Sequence, residues 1–127
     1  MKLKLNVLER IVIMNLLPKS GNFVSIRAIK NTGKILSISK EEMEETQMHI
    51  TPQGSTWNKK GKDEKEFDLP ASSVKIIKDR LQEMDKKNDL PLEAVTVWEK
   101  FFPQSVVESE IKEAYEENAA LKSINLP

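Results

Sequence analysis

The stretch "NVLERIVIMNLLP", residues 6 to 18, limits the fold more than any other part of the chain. Asn6 followed three residues later by Glu9 has the form of a capping box: the Asn side chain accepts from a free amide and the Glu reaches back to the cap. A helix is therefore expected from about residue 7 to Leu17, where Pro18 stops it. Leu8, Ile11, Val12 and Leu16 give it a broad apolar face, and Val7, Ile13, Met14 and Leu17 leave little of its circumference polar. A helix that is apolar nearly all round needs cover on most sides, so this one is central.

Lys2 and Lys4 ahead of that run give it the outline of a secretion leader. Glu9, Arg10 and Asn15 interrupt it, however, and no small-residue cleavage pattern follows. A buried helix is the better reading. No stretch approaches the ~20 apolar residues of a membrane span, and there is no Cys, which excludes disulfides and thiolate metal sites and suits a reducing compartment. A soluble cytoplasmic protein without membrane contact is expected. At 127 residues the chain suits one domain, which at that size buries roughly two thirds of its unfolded surface.

Further along, "PKSGN" is a turn. Phe23 and Val24 favour extended backbone, and Ser25 is placed to cap a second helix carrying Ile26, Ile29 and Leu36, with an uncertain end at Gly33. "ILSIS" has the composition of a short strand, but Ser39 and Glu42 form another capping box and open a short acidic helix, "KEEMEET". "MHITPQGSTWN" reads as a hairpin turning at Pro-Gln-Gly, and "KKGKDEKE" as a charged loop. Asp68 with Pro70 opens a helix in which Val74, Ile77, Leu81 and Met84 share a face. Asp89 with Pro91 repeats the device for a helix carrying Leu92, Val95, Trp98 and Phe102, ending at Pro103. A last helix from about Ser105 places Val107, Ile111, Ala114, Asn118 and Leu121 at alternating steps of four and three, a short heptad-like seam.

The expected fold is thus mainly α with a small β-hairpin. Residues 1–68 run helix, short extended piece, helix, short helix, hairpin, the order of a winged helix-turn-helix, and residues 69–127 add three C-terminal helices within one domain, 1–127. In a winged helix the third helix enters the major groove and reads bases with Arg, Lys, Asn or Gln. Here it carries Glu41, Glu42, Glu44 and Glu45, which phosphates repel. The remaining candidate contact for nucleic acid or a partner is Arg27, Lys30 and Lys34 on one helical face, with Lys19 and the loop lysines Lys59, Lys60 and Lys62 nearby in sequence. An ordinary solvated or protein-contacting face explains the same residues, since any amphipathic helix has one.

Twenty basic and twenty acidic residues cancel, which leaves no global field to draw in nucleic acid or an anionic membrane. The cancellation is not local. Residues 1 to 36 hold seven cations against Glu9 alone, about plus six. Residues 101 to 127 hold Lys112 and Lys122 against five glutamates, about minus three. Attraction between the two ends, within a chain or between copies, accounts for the basic third as well as nucleic acid does.

Catalytic machinery is not visible. His49 is the sole histidine, expected as a hairpin strand residue, and no nucleophile–base pair, convergent ligand set or phosphate-cradling glycine loop accompanies it. The acidic clusters read as solvated surface. No enzyme activity, cofactor or metal is expected. Trp57 on the hairpin is a candidate contact, because exposed aromatics anchor interfaces and stack bases. Trp98 and Phe102, with Val107, Ile111 and Tyr115 of the last helix, are candidates for a homo-oligomer interface, since the apolar residues of "VTVWEKFF" cover more than one face.

"LNVLERIVIMNLLPKSGNFVSIRAIK", "LSISKEE" and "STWN" make the first half of the chain resemble small uncharacterised proteins encoded by tailed phages and prophages. "NTGK" departs from the continuous helix expected at that point. The resemblance implies a small virus-encoded accessory protein in a bacterial cytoplasm, a class rich in binders of host or phage proteins and in small DNA-binding regulators. A protein partner, not yet identified, is the expected target, and a winged-helix regulator is the alternative.

Overall fold

The computed structural model describes residues 1–103. In order they form strand β1 (Lys2–Leu5), helices α1 (Val7–Leu16), α2 (Phe23–Leu36) and α3 (Lys40–Glu45), strands β2 (His49–Thr51), β3 (Gly54–Thr56) and β4 (Lys65–Asp68), and helices α4 (Ala71–Lys86) and α5 (Val95–Phe101). Short 3-10 turns occupy Lys59–Lys62 and Leu92–Ala94. The protein is mainly helical, and its strands pair as two antiparallel two-stranded sheets.

Helix α1 has the position and cap its sequence requires. Glu9 N–H donates to Asn6 Oδ1 at 2.9 Å, and Asn6 N–H donates to Glu9 Oε1 at 3.0 Å. Val7, Val12, Ile13 and Leu16 are buried, although Leu8 turns outward. Around them one cluster gathers Leu3 and Leu5 of β1, Leu36 of α2, Phe67 of β4, Ile77 and Leu81 of α4, and Val97 and Phe101 of α5. Residue 68 is therefore not a boundary between cores.

The first strand was not foreseen. Lys2–Leu5 pairs with β4, setting Leu3 opposite Phe67, both buried, while Lys2 faces Asp68 and Lys4 faces Glu66. These outer pairs carry opposite charges, which favours the register. The expected charged loop "KKGKDEKE" is thus partly a 3-10 turn and partly strand, because Phe67 has a core to enter. Asp68 consequently lies in β4 and caps nothing; Pro70 stands at the N-cap of α4.

Phe23 and Val24 are helical, not extended. The cap is Asn22, whose Oδ1 accepts the Ser25 amide at 2.9 Å, so capping two residues earlier overrides the β preference of an aromatic and a β-branched residue. No extended piece separates α1 from α2. Helix α2 passes through "NTGK" to Leu36, which removes the alternative of a strand at "ILSIS". It packs on α4 through small polar groups: Thr32 Oγ1 donates to Ser73 Oγ at 2.6 Å, and both residues are fully buried.

The face expected for residues 92–102 is rotated. Ala94, Val97 and Phe101 are buried, whereas Leu92 and Val95 are exposed and Trp98 and Phe102 half-buried. The segment starts as a 3-10 turn at Leu92–Ala94, and three residues per turn shift the angular register that a uniform α-helix would give. Asp89 is no cap here; Pro91 is. The capping box of α3 and the hairpin β2–β3, with His49 exposed in β2, are as expected. The expectation of a helix from about Ser105, with Val107, Ile111 and Tyr115, falls outside the described residues.

Candidate functional site

Two groups of charged residues sit in opposite environments. The first is interior. Arg10, in the middle of the apolar helix, is 2% exposed and carries its guanidinium to the junction of α2 and α3. There Nε donates to the Leu36 carbonyl at 3.1 Å and Nη2 to the Ser37 carbonyl at 2.6 Å, covering the open C-terminal end of α2. Nη1 and Nη2 also grip both carboxylate oxygens of Glu42, at 2.5 and 3.2 Å. The guanidinium lies 4.8 Å from the centre of the Phe67 ring, a cation–π contact with β4. The bidentate Arg10 bond, with further help from the Ser39 amide and Lys65, overcomes the cost of desolvation and holds the Glu42 carboxyl down at about 2. Of the four carboxylates on the acidic helix, this one turns inward.

Glu9 is buried as deeply as its neighbour and points to α5. Its Oε1 accepts from Asn6 N–H and from Lys100 Nζ at 2.6 Å, and Oε2 has no partner among the described residues. Lys100 also donates to the Lys4 carbonyl at 2.7 Å and pairs with Glu64 at 3.2 Å. Two adjacent charges on α1 thus tie it to opposite neighbours. In the sequence Glu9 showed only its capping role and Arg10 only that it broke an apolar run.

The second group is exterior. With Thr32, Leu36 and Ile29 of α2 turned to the interior, the opposite face carries Arg27, Lys30 and Lys34, all exposed. Phe23 joins them. At the helical repeat Phe23, Arg27, Lys30 and Lys34 lie within about 60° of one another. Phe23 is 78% exposed and Val24 76%. These residues line an open hollow of about 910 Å³ whose far rim includes Ser72 at the start of α4. None of the three cations has an ion-pair partner among the described residues. Like charges three and four apart repel by a few tenths of a kcal/mol each, a cost an acidic partner removes.

The other candidate aromatics each pack in part against their own chain. Trp57 is half-buried with its indole against Gly61, so closely that a Cβ added there would lie 2.1 Å from Trp57 Cδ1. Trp98 and Phe102 stack on each other, centroids 4.4 Å apart, and pack against the core, with Lys78 Nζ 5.3 Å from the Phe102 ring. The loop lysines Lys59, Lys60 and Lys62 do not line the α2 hollow.

Among the described residues no three His, Cys, Asp or Glu side chains converge as metal ligands. No helix among them is long and apolar enough to cross a membrane. No protein-family model, no curated protein sequence and no solved structure matches the chain.

Proposed function

We propose that the protein is a non-enzymatic accessory factor of phage or prophage origin that acts in the bacterial cytoplasm by binding protein, and that it associates with copies of itself. The observation that carries this reading is the outer face of α2. A phenylalanine and a valine stand more than three quarters exposed beside three cations that no described residue neutralises. A folded chain that buries Leu5, Leu36, Leu69 and Val97 completely has the means to cover an aromatic ring. Leaving it out is a stability opportunity forgone, and exposed aromatics beside cations are what interface anchors consist of. The phage origin rests on the resemblance of the first half of the chain alone.

A winged-helix DNA-binding regulator is the second reading, favoured by the order α1, α2, α3 and hairpin and by cations that have no ion-pair partner among the described residues. Against it stand Glu41, Glu44 and Glu45, exposed on the helix that would enter the groove, and a net charge of zero. Light scattering over the micromolar range, with a polarisation titration against duplex DNA at low salt, tests both readings. Self-association without submicromolar DNA binding is expected. A monomer mass throughout, or tight salt-sensitive DNA binding lost on Arg27→Ala with Lys30→Ala, overturns the first reading.

A further inference from the structure

We infer that the hollow on the outer face of α2 receives the acidic C-terminal segment, residues 104–127, of a second copy of the chain, so that two copies exchange segments reciprocally.

The charges of the two stretches are opposite in sign and alike in spacing. Arg27, Lys30 and Lys34 are separated by steps of three and four, and Glu110, Glu113 and Glu117 by the same steps. Glu108 and Glu116 add to the acidic side, against Lys112 and Lys122. The apolar part of each is matched as well. Phe23 and Val24 stand exposed at one end of the hollow, while Val107, Ile111 and Tyr115 recur at four-residue steps in the segment. Apolar contact supplies affinity, and opposed charges fix the register and reject other acceptors.

The described chain ends at Pro103, directly after Phe102, which lines a second hollow of about 470 Å³ together with Met1, Ala71 and Val74. Ala71 adjoins Ser72 on the rim of the α2 hollow. The last described residues and the α2 hollow therefore both border the first turn of α4. Choosing the second copy's segment over the chain's own rests on the homo-oligomer reading above; reciprocal exchange uses each hollow and each segment once and closes as a two-fold pair.

The test is a charge exchange in the full-length chain. One variant carries Arg27→Glu, Lys30→Glu and Lys34→Glu, the other Glu110→Lys, Glu113→Lys and Glu117→Lys. Sedimentation equilibrium is run on the wild type, on each variant and on their equimolar mixture, with circular dichroism to confirm the fold. Arg27→Ala with Lys30→Ala and Lys34→Ala replaces the first variant should that one misfold. Each reversed variant is expected to associate at least about tenfold more weakly than wild type, and the mixture to recover association as a heterodimer.

Three results overturn the inference while leaving self-association standing: variants that associate like wild type, weakened variants that do not recover on mixing, or association that survives in the triple alanine variant. A wild type that is monomeric removes the homo-oligomer reading itself. If limited proteolysis then cuts the segment faster in the groove-reversed variant than in that monomer, the occupant is the chain's own segment.

Discussion

Helices α1 and α2 invert the usual placement of residues in opposite ways. Helix α1 takes Glu9 and Arg10 inside, each 2% exposed, while α2 leaves Phe23 and Val24 outside. The difference is whether partners are present. Arg10 meets two carbonyls, a carboxylate and an aromatic ring, which offset its desolvation cost, and Glu9 meets a lysine and a backbone amide through Oε1, which offset part of its own. Phe23 and Val24 meet nothing comparable among the described residues. The inversion on α1 is consumed in holding the fold together, and the one on α2 is left uncovered by the described residues, which is where the proposed second molecule binds.

The largest effect that tests this contrast is at Arg10. Arg10→Met keeps much of the apolar volume but leaves Glu42 without its main partner and the Leu36 and Ser37 carbonyls without their donor. A loss of roughly 3–5 kcal/mol in urea unfolding is expected, as for other broken buried pairs. A loss below about 1 kcal/mol means that the interior pair is not what joins α1, α2 and α3.

Acid comes next. The Glu42 carboxyl sits at about 2 when folded, below its ordinary 4.5, so it contributes stability that is fully present above pH 4.5 and disappears as pH falls through 2. With allowance for its partial solvent contact, that contribution is ~2 kcal/mol. Stability of the wild type is expected to decline across this window, and Glu42→Gln to be weaker at neutral pH but flatter below pH 4.5. Parallel pH profiles for the two proteins break the assignment.

The smallest effect on the fold belongs to the outer face of α2. Arg27→Ala with Lys30→Ala is expected to shift unfolding by no more than about 0.5 kcal/mol, because exposed cations contribute little. DNA affinity is expected to stay unchanged in the same variant. A large stability change here removes the contrast with α1.

Much of this arrangement was legible in local chemistry. The capping boxes at Asn6 and Ser39 each need only four consecutive residues, and both formed with their reciprocal bonds. The basic stripe was readable too, because it is a spacing on one helix. Its aromatic end was not, since Phe23 and Val24 favour extended backbone until Asn22 is recognised as the cap; once it is, steps of four, three and four join Phe23 to the stripe. The strand at Lys2–Leu5 left a trace in its strict Lys-Leu alternation, yet four residues do not make a strand without the partner sixty positions away in the chain. Long-range pairing also hid the fate of Arg10 and Glu42: nothing near either residue in the sequence shows that they meet.

The central claim is that α2 carries its exposed aromatic for binding and not for folding. Sedimentation equilibrium and urea unfolding of Phe23→Ser, measured beside wild type on the same samples, test it most directly. The expected result is association at least about tenfold weaker with an unfolding free energy within about 0.5 kcal/mol of wild type, as a truncated interface anchor gives. Association equal to wild type, or association lost only in step with the folded state, would contradict it.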